Sequence, residues 1–432
     1  MTAAIVDDQL WSKRRELLAL AVMGSIYFFS YFQRVAVPGT LFNQIQSDLH
    51  LTATGVTALG ALFLYIYSGS QIFVGLTADR FGGGRVLVGG GLVMAIGSVL
   101  FPLAHTPGWL YAGRALTGLG ASFMFLSLAK EVDTLFGHRH FPVLIGPVMF
   151  AGFCGGLAAT APLDWAATAW GWRPALLTVG LACGVCVGLT WLALRQLNHP
   201  VPVGVRFSLR PFFAVFRNRR SWPQLFCGTI NFPVYFIIQS TIGKKLLEDV
   251  AGMTSAAAAR CVFVMMGVSA GLSLVGGSLL PLTGHRRRPF LIGAPALLLA
   301  GLVVIGFNVR HGAPGWVLLV GYVLLAASNG CVPAGTSTFK ELNARDAVAV
   351  SVGVINSVAY LGVAVLANCS GMVLDRFRLQ AILTPRGLVY PPAAYAALIV
   401  ALAGLAAASL VVSCWIPETR GQPLRDEELD LG

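Results

Sequence analysis

Apolar runs about twenty residues long alternate with short polar breaks along nearly the whole chain. Twelve such runs stand near 17–38, 54–78, 86–105, 109–129, 141–162, 174–194, 223–243, 256–282, 289–308, 316–338, 348–372 and 392–416. A helix needs roughly 20 predominantly apolar residues to cross about 30 Å of hydrocarbon, and most of these runs reach that length. The pattern predicts an all-α membrane protein with twelve transmembrane helices. Composition agrees, since 56% of the 432 residues are apolar and only 11% are charged, against about 25% charged in a soluble domain. The mean hydropathy of +0.74 points the same way. The solvent for most of the surface is lipid.

The formal charge of +12 changes meaning once its location is considered. An even number of spans puts both termini on one side. Of the 30 Lys and Arg residues, 20 fall on the side of the termini, 7 on the opposite side and three within spans. Lys244 and Lys245 are counted in the loop after the seventh span. Such an excess marks the cytoplasmic face, so the expectation is a multi-pass plasma-membrane protein, or a bacterial inner-membrane protein, with both termini cytoplasmic. The basic balance is then a topology signal and excludes nucleic acid as a partner. Lys13-Arg14-Arg15 precedes an apolar run too long for a signal-peptide core, with no small-residue cleavage site. The eight cysteines lie almost entirely in apolar runs. Cys183 and Cys186 form a CxxC in mid-helix without a His or acidic neighbour, which suits helix packing in lipid and predicts no metal.

Internal similarity then sets the organisation. Gly24, Ile26, Phe28, Tyr31 and Phe32 recur as Gly228, Ile230, Phe232, Tyr235 and Phe236, at one offset. Gly75, Gly82 and Arg85 recur as Gly277, Gly284 and Arg287, and Pro107-Gly108-Trp109 as Pro314-Gly315-Trp316. Lys130-Glu131 recurs as Lys340-Glu341, and Asp164 as Asp375. Ordered matches with slowly drifting offsets describe two parallel copies of one unit. The expected organisation is a six-helix half at 1–195, a cytoplasmic connector at 196–222, a second half at 223–420 and a cytoplasmic tail at 421–432. The connector is basic and aromatic, and reads either as a helix lying at the interface or as a plain tether.

Between the second and third runs stands Gly75-Leu-Thr-Ala-Asp79-Arg80-Phe81-Gly82-Gly83-Gly84-Arg85. This resembles the loop signature of the major facilitator superfamily. Arg114-Ala-Leu-Thr-Gly118-Leu-Gly120 is similar to the fourth-span motif of that family, and Gly171-Trp172-Arg173 to its GWR. Pro417-Glu418-Thr419-Arg420-Gly421 resembles the tail of the sugar porters. The resemblance covers the whole chain. It implies two pseudo-symmetric six-helix bundles with a substrate site between them, and a conformational latch involving Gly75, Asp79, Arg80, Gly82, Arg85 and Arg114. In such a latch the acid meets a helix N-terminus. Gly82 to Gly84 allow a sharp turn with positive φ. Pro281 replaces the acid in the second copy, so only the first half carries a full latch. Arg114 reads equally as a structural tie to the first helix.

The candidate chemistry centres on Arg34. A charge within a span costs about 2.5–3.5 kcal/mol or more on insertion scales and tends to be functional. Tyr27, Tyr31 and Arg34 share one helical face, and the repeat sets Asn231, Tyr235 and Gln239 opposite. Gln71, Asn329 and Asn356 are further polar positions within spans. Tyr31-Phe-Gln-Arg34 also resembles the first span of the organophosphate:phosphate antiporters and anion:cation symporters, where the arginine binds phosphate or carboxylate. Three readings of Arg34 stay open: an anion site using the planar guanidinium fork, snorkelling toward the interface, and pairing with a neighbouring helix.

No Asp or Glu falls centrally in the twelve runs, and every His lies in a loop or at a span end. That favours exchange or facilitated movement over a buried proton relay. Gly82-Gly-Gly84 lacks the GK[ST] ending of a phosphate loop, so neither a nucleotide nor another cofactor is expected, and no enzymatic activity. The expectation is a monomeric secondary active or facilitated transporter for a small solute, an organic anion such as a carboxylate or phosphate ester. A coupling ion and the bilayer are its other partners. Two alternatives are an exporter of hydrophobic or cationic compounds and a membrane ligand sensor that does not transport.

Overall fold

In the computed structural model, residues 14–197, 215–279, 284, 286–312, 314–343, 348–385 and 387–422 are described. All twelve apolar runs are helical there. The first half contains α1 (Arg14–Val35), α2 (Phe42–Asp48), α3 (Ala53–Phe81), α4 (Gly83–Leu103), α5 (Pro107–Ser122), α6 (Met124–Ala158), α7 (Ala161–Trp170) and α8 (Trp172–Arg195). The second contains α9 (Trp222–Ile237), α10 (Gly243–Ala251), α11 (Ser255–Leu279), α12 (Arg288–His311), α13 (Gly315–Gly330), α14 (Val332–Glu341), α15 (Val348–Arg376) and α16 (Pro392–Ser413). Ten helices or merged helices are long and apolar enough to cross a membrane, and two bent pairs raise the number to twelve. A short hairpin of β1 (Ile382–Thr384) and β2 (Gly387–Val389) joins α15 to α16.

The breaks between spans have local causes. Pro107, Pro223 and Pro392 stand in the first turns of their helices, where a missing N–H costs no hydrogen bond. Gly82 (φ 86°) ends α3 and starts α4, a backbone conformation that L side chains rarely adopt. Its repeat partner Gly284 also has positive φ, 61°. Gly83 and Gly84 serve another purpose than the expected turn. They are already helical, and a Cβ on Gly83 would lie 2.5 Å from the Ser127 carbonyl oxygen. These two glycines let α4 approach α6 closely.

In the first half α1 packs on α6 and α8, and α4 on α5 and α8; in the second α9 packs on α15 and α16, and α12 on α13 and α16. The largest surface between the halves is α3 against α15, joined by α6 and α7 against α11. Exposed tryptophans mark the two ends of the spans. Trp109, Trp165, Trp170 and Trp316 lie away from the termini, and Trp222 and Trp415 lie on the terminal side. Indole rings settle at headgroup level.

One reading of the loops needs correction. Lys244 and Lys245 are not loop residues: α10 continues the seventh span, and both side chains are buried. Carboxylates beside them make that burial tolerable, as described below.

Cysteines at Leu379, fully exposed beyond α15, and at Gln422, exposed beyond α16, test the last span. Impermeant maleimide applied to sealed vesicles of one orientation is expected to label one and spare the other. Labelling of both from one side would remove α16 from the membrane.

Candidate functional site

Arg34 lies in the last turn of α1, where the helix passes into a π-helical turn at Ala36–Thr40. Its side chain does not snorkel. It is buried, and sits level with the middles of α3 and α15. Its guanidinium carbon is 4.5 Å from the ring centre of Tyr67 and 4.8 Å from those of Tyr31 and Tyr360. Nη1 donates to the Tyr360 hydroxyl, while Nε and Nη2 are buried without a hydrogen-bond partner. Among the described residues no carboxylate stands within ion-pair distance of it. Ring faces attract a desolvated cation by about 2 kcal/mol, which offsets part of the cost of burial but leaves the charge uncompensated. Two buried donors on the charged fork thus stand without an acceptor.

The other expected residues divide. Tyr31, Tyr235, Gln239 and Asn329 line one small cavity with Phe153, Phe232 and Met266. Asn231, Asn329, Asn356 and Tyr360 line a larger one of about 160 Å³ in the second half. Gln239 donates to the Met266 sulfur at 3.3 Å, and Asn231 accepts from Ser409 at 2.7 Å. Tyr27 packs edge-on to Tyr31, 6.1 Å away, and so supports the cage from behind. Gln71 donates to the Ser122 carbonyl within the first half and lines neither cavity. Tyr67 and Tyr360 were missed from the sequence, although each lies one helical turn from an identified residue, Gln71 and Asn356. The same-face rule applied once more would have found both.

The latch residues separate as well. Arg114 is buried and donates to the carbonyls of Leu59, Gln33 and Val37 at 3.1–3.2 Å. All three acceptors are in the first half, so its geometry is that of a structural tie between α5, α3 and α1. Arg80 and Arg85 are exposed, and Arg80 lies over Phe81. Gly75 and the side chain of Asp79 lie outside what is described. In the second half Arg287, the repeat of Arg85, donates to Glu341 at 2.7 Å. Glu418 accepts from the backbone N–H groups of Arg287 and Arg288 at the start of α12, and Thr419 donates to Glu341. Partial burial pushes the Glu418 carboxyl up, but these backbone donors outweigh it and hold it below its ordinary range. The tail motif thus works as a clamp on a helix N-terminus.

The ends of the spans away from the termini are tied across the halves. Lys244 donates to Asp164 at 2.6 Å and to the Thr40 carbonyl at 2.8 Å, and Ser255 donates to the same Asp164 oxygen. Glu248 lies 3.4 Å from Lys244 and accepts from Asn43. Asp375 accepts from the N–H groups of Ala53 and Thr54, at the N-terminus of α3. Asp164 and Asp375, which match in the internal repeat, therefore both join one half to the other. Lys245 is neutralised by Asp249, 2.6 Å away. The sequence placed no carboxylate centrally; these lie just beyond the span ends assigned there, Asp164 buried and the others partly so.

A fold of this kind, with an unpaired cation between two helical bundles, is that of a membrane transporter. The family model of the Major Facilitator Superfamily matches residues 23–367, and the chain belongs to that family. Among solved structures, a point mutant of the nucleoside transporter NupG aligns with a TM-score of 0.72 at 14% identity, covering 92% of this chain and 99% of that one. A peptide transporter POT mutant aligns at 0.70 and 18% identity, covering 93% of each. Curated relatives include the facilitated glucose transporter member 10 of Homo sapiens, 28% identical over 36% of this chain and 28% of the relative. The probable sulfoacetate transporter of Cupriavidus necator is 29% identical over 42% and 41%. Monocarboxylate transporter 7 of Homo sapiens is 26% identical over 46% and 37%. The matched part spans between about a quarter and two fifths of these relatives' lengths.

Removing one member of a buried ion pair strands its partner and costs about 3–5 kcal/mol. Lys244→Met is therefore expected to loosen the far-side closure. A cysteine at Thr241, buried just beneath it, should react several-fold faster with impermeant reagent from the side away from the termini. Restoring neutrality with Lys244→Met/Asp164→Leu should return folded yield toward that of the parent.

Proposed function

We propose that this transporter carries a small organic anion, a carboxylate or phosphate ester, by rocking its halves at 1–195 and 223–420 about Arg34. The observation that carries this reading is the buried guanidinium with two unpartnered donors and no counter-ion among the described residues. An anion supplies the missing charge and both acceptors, so occupancy relieves a cost that the empty site bears. A cationic solute would add a second positive charge to the cage, which counts against the export of lipophilic cations. Two relatives are named for organic acids, sulfoacetate and monocarboxylates, in keeping with this choice.

The placement of the ties supports alternating access. Asp164, Lys244 and Asp375 close the side away from the termini, whereas the larger cavity is lined by the terminal-side parts of α9, α12, α14 and α15. The excess of basic residues on the terminal side assigns that side to the cytoplasm of a plasma or bacterial inner membrane. The described arrangement is then a cytoplasm-oriented state, with Asp79 as the latch of the opposite state. Buried carboxylates at the far-side closure leave a coupled proton or cation compatible with this scheme.

A thermal-shift screen of purified protein with monocarboxylates, sulfonates and phosphate esters identifies the tightest anion, and calorimetry then compares variants. Arg34→Lys is expected to weaken binding by about tenfold or more, because an ammonium lacks the planar fork. Arg34→Gln should abolish binding while keeping folded yield, since the uncompensated charge is removed. Wild-type affinity in Arg34→Gln overturns the anion reading.

A further inference from the structure

Resting on the anion reading, the orphaned polar atoms describe the rest of the solute. The larger chamber lies wholly among second-half residues, as far as these are described, and ends at Tyr360, the hydroxyl that accepts from Arg34. Its polar lining consists of neutral side chains, mainly Gln224, Asn231, Ser328, Asn329, Thr336 and Asn356, with no Lys, Arg, Asp or Glu among the described residues. Asn231 Oδ1 is already occupied by the Ser409 hydroxyl. Asn329 donates one Nδ2 hydrogen to Ser269 at 2.7 Å, while its Oδ1 is buried and without a partner. Gln224 Oε1, on a side chain only 5% exposed, is orphaned in the same way. The unsatisfied atoms thus have opposite sense at the two places. They are donors at Arg34 and acceptors in the chamber.

Buried polar groups are nearly always paired, so a matching occupant presents acceptors to Arg34 and a donor to the chamber. Asn329 belongs to both cavities, and Arg34 lies 4.8 Å over one ring from each, Tyr31 and Tyr360. Asn329 is thus the polar side chain common to both spaces, and the rings of Tyr31 and Tyr360 stand between these spaces and the guanidinium. The donor is neutral, because an ammonium group would find no carboxylate in this lining to balance it. We infer that the transported anion also bears a hydroxyl group that donates to Asn329 Oδ1, and that the site rejects the corresponding zwitterion.

The test uses full-length protein and butanoate, the 2-, 3- and 4-hydroxybutanoates and the matching aminobutanoates, with dissociation constants from calorimetry. A site built to pair a hydroxyl strongly rejects the analogue without one. At least one hydroxybutanoate is expected to bind about tenfold or more tightly than butanoate, and no aminobutanoate better than butanoate. Asn329→Ala should bring the hydroxy acid down to butanoate and move butanoate itself by less than about threefold. Asn329→Asp, which keeps an acceptor but adds a charge, should reverse the preference toward an aminobutanoate, a change that a merely structural residue would not produce. Butanoate binding that depends on Arg34 but shows no gain from any hydroxyl overturns this inference and leaves the anion reading standing. A gap that survives in Asn329→Ala also overturns it. If none of the acids binds in an Arg34-dependent way, both readings fall together.

Discussion

A guanidinium held in the middle of a lipid-embedded protein without a counter-ion governs the arrangement around it. Several buried charges among the described residues are neutralised where they stand: Lys244 by Asp164, Lys245 by Asp249, Arg287 by Glu341. Arg114 is instead saturated by three carbonyls. Arg34 has only tyrosine rings and one hydroxyl. Quadrupoles and a neutral acceptor soften the cost of burial without cancelling it. The charge therefore stands uncompensated where the two halves meet. Because Tyr31 and Tyr67 come from the first half and Tyr360 from the second, any relative movement of the halves changes the cage.

The far-side closure obeys the same electrostatics with the opposite outcome. There, charges from the two halves are brought together and satisfied, by an ion pair at Lys244–Asp164 and by a helix N-terminus at Asp375. A closure made of satisfied polar bonds is stable yet separable, since each side can be rehydrated when the halves part. An apolar seam of equal area would not reopen so readily in contact with water. The unsatisfied centre and the satisfied closure therefore differ: one lacks partners for its charge, the other finds them within the protein. A transporter needs both for a solute to bias one state over another.

The twelve spans, the doubled unit and Arg34 with its tyrosine face were legible in the chain because each rests on local information. A run of twenty apolar residues forms a helix in lipid wherever it stands, since its backbone has no other way to satisfy its hydrogen bonds there. Repetition is visible as ordered matches at slowly drifting offsets, and residues at i, i+4 and i+7 share a face by helix geometry alone. Glycines were read less completely. Gly82 turns the chain as expected, but Gly83 and Gly84 are small because α6 passes within touching distance, a fact about a partner helix.

What only the tertiary structure decided were the pairings between distant positions. Lys244 and Lys245 look like loop cations until Asp164, eighty residues earlier, and the hairpin before Tyr390 close around them. Arg114 could serve a gate or a tie until three carbonyl oxygens from two other helices are seen to saturate it. Arg34 could snorkel until α3 and α15 enclose it at mid-depth. In each case the side chain's own sequence neighbourhood sets its helix and face, while its charge balance is set by groups that no local pattern encodes. Partner choice across a bundle depends on how whole helices stack, and stacking belongs to the fold as a unit rather than to any one segment.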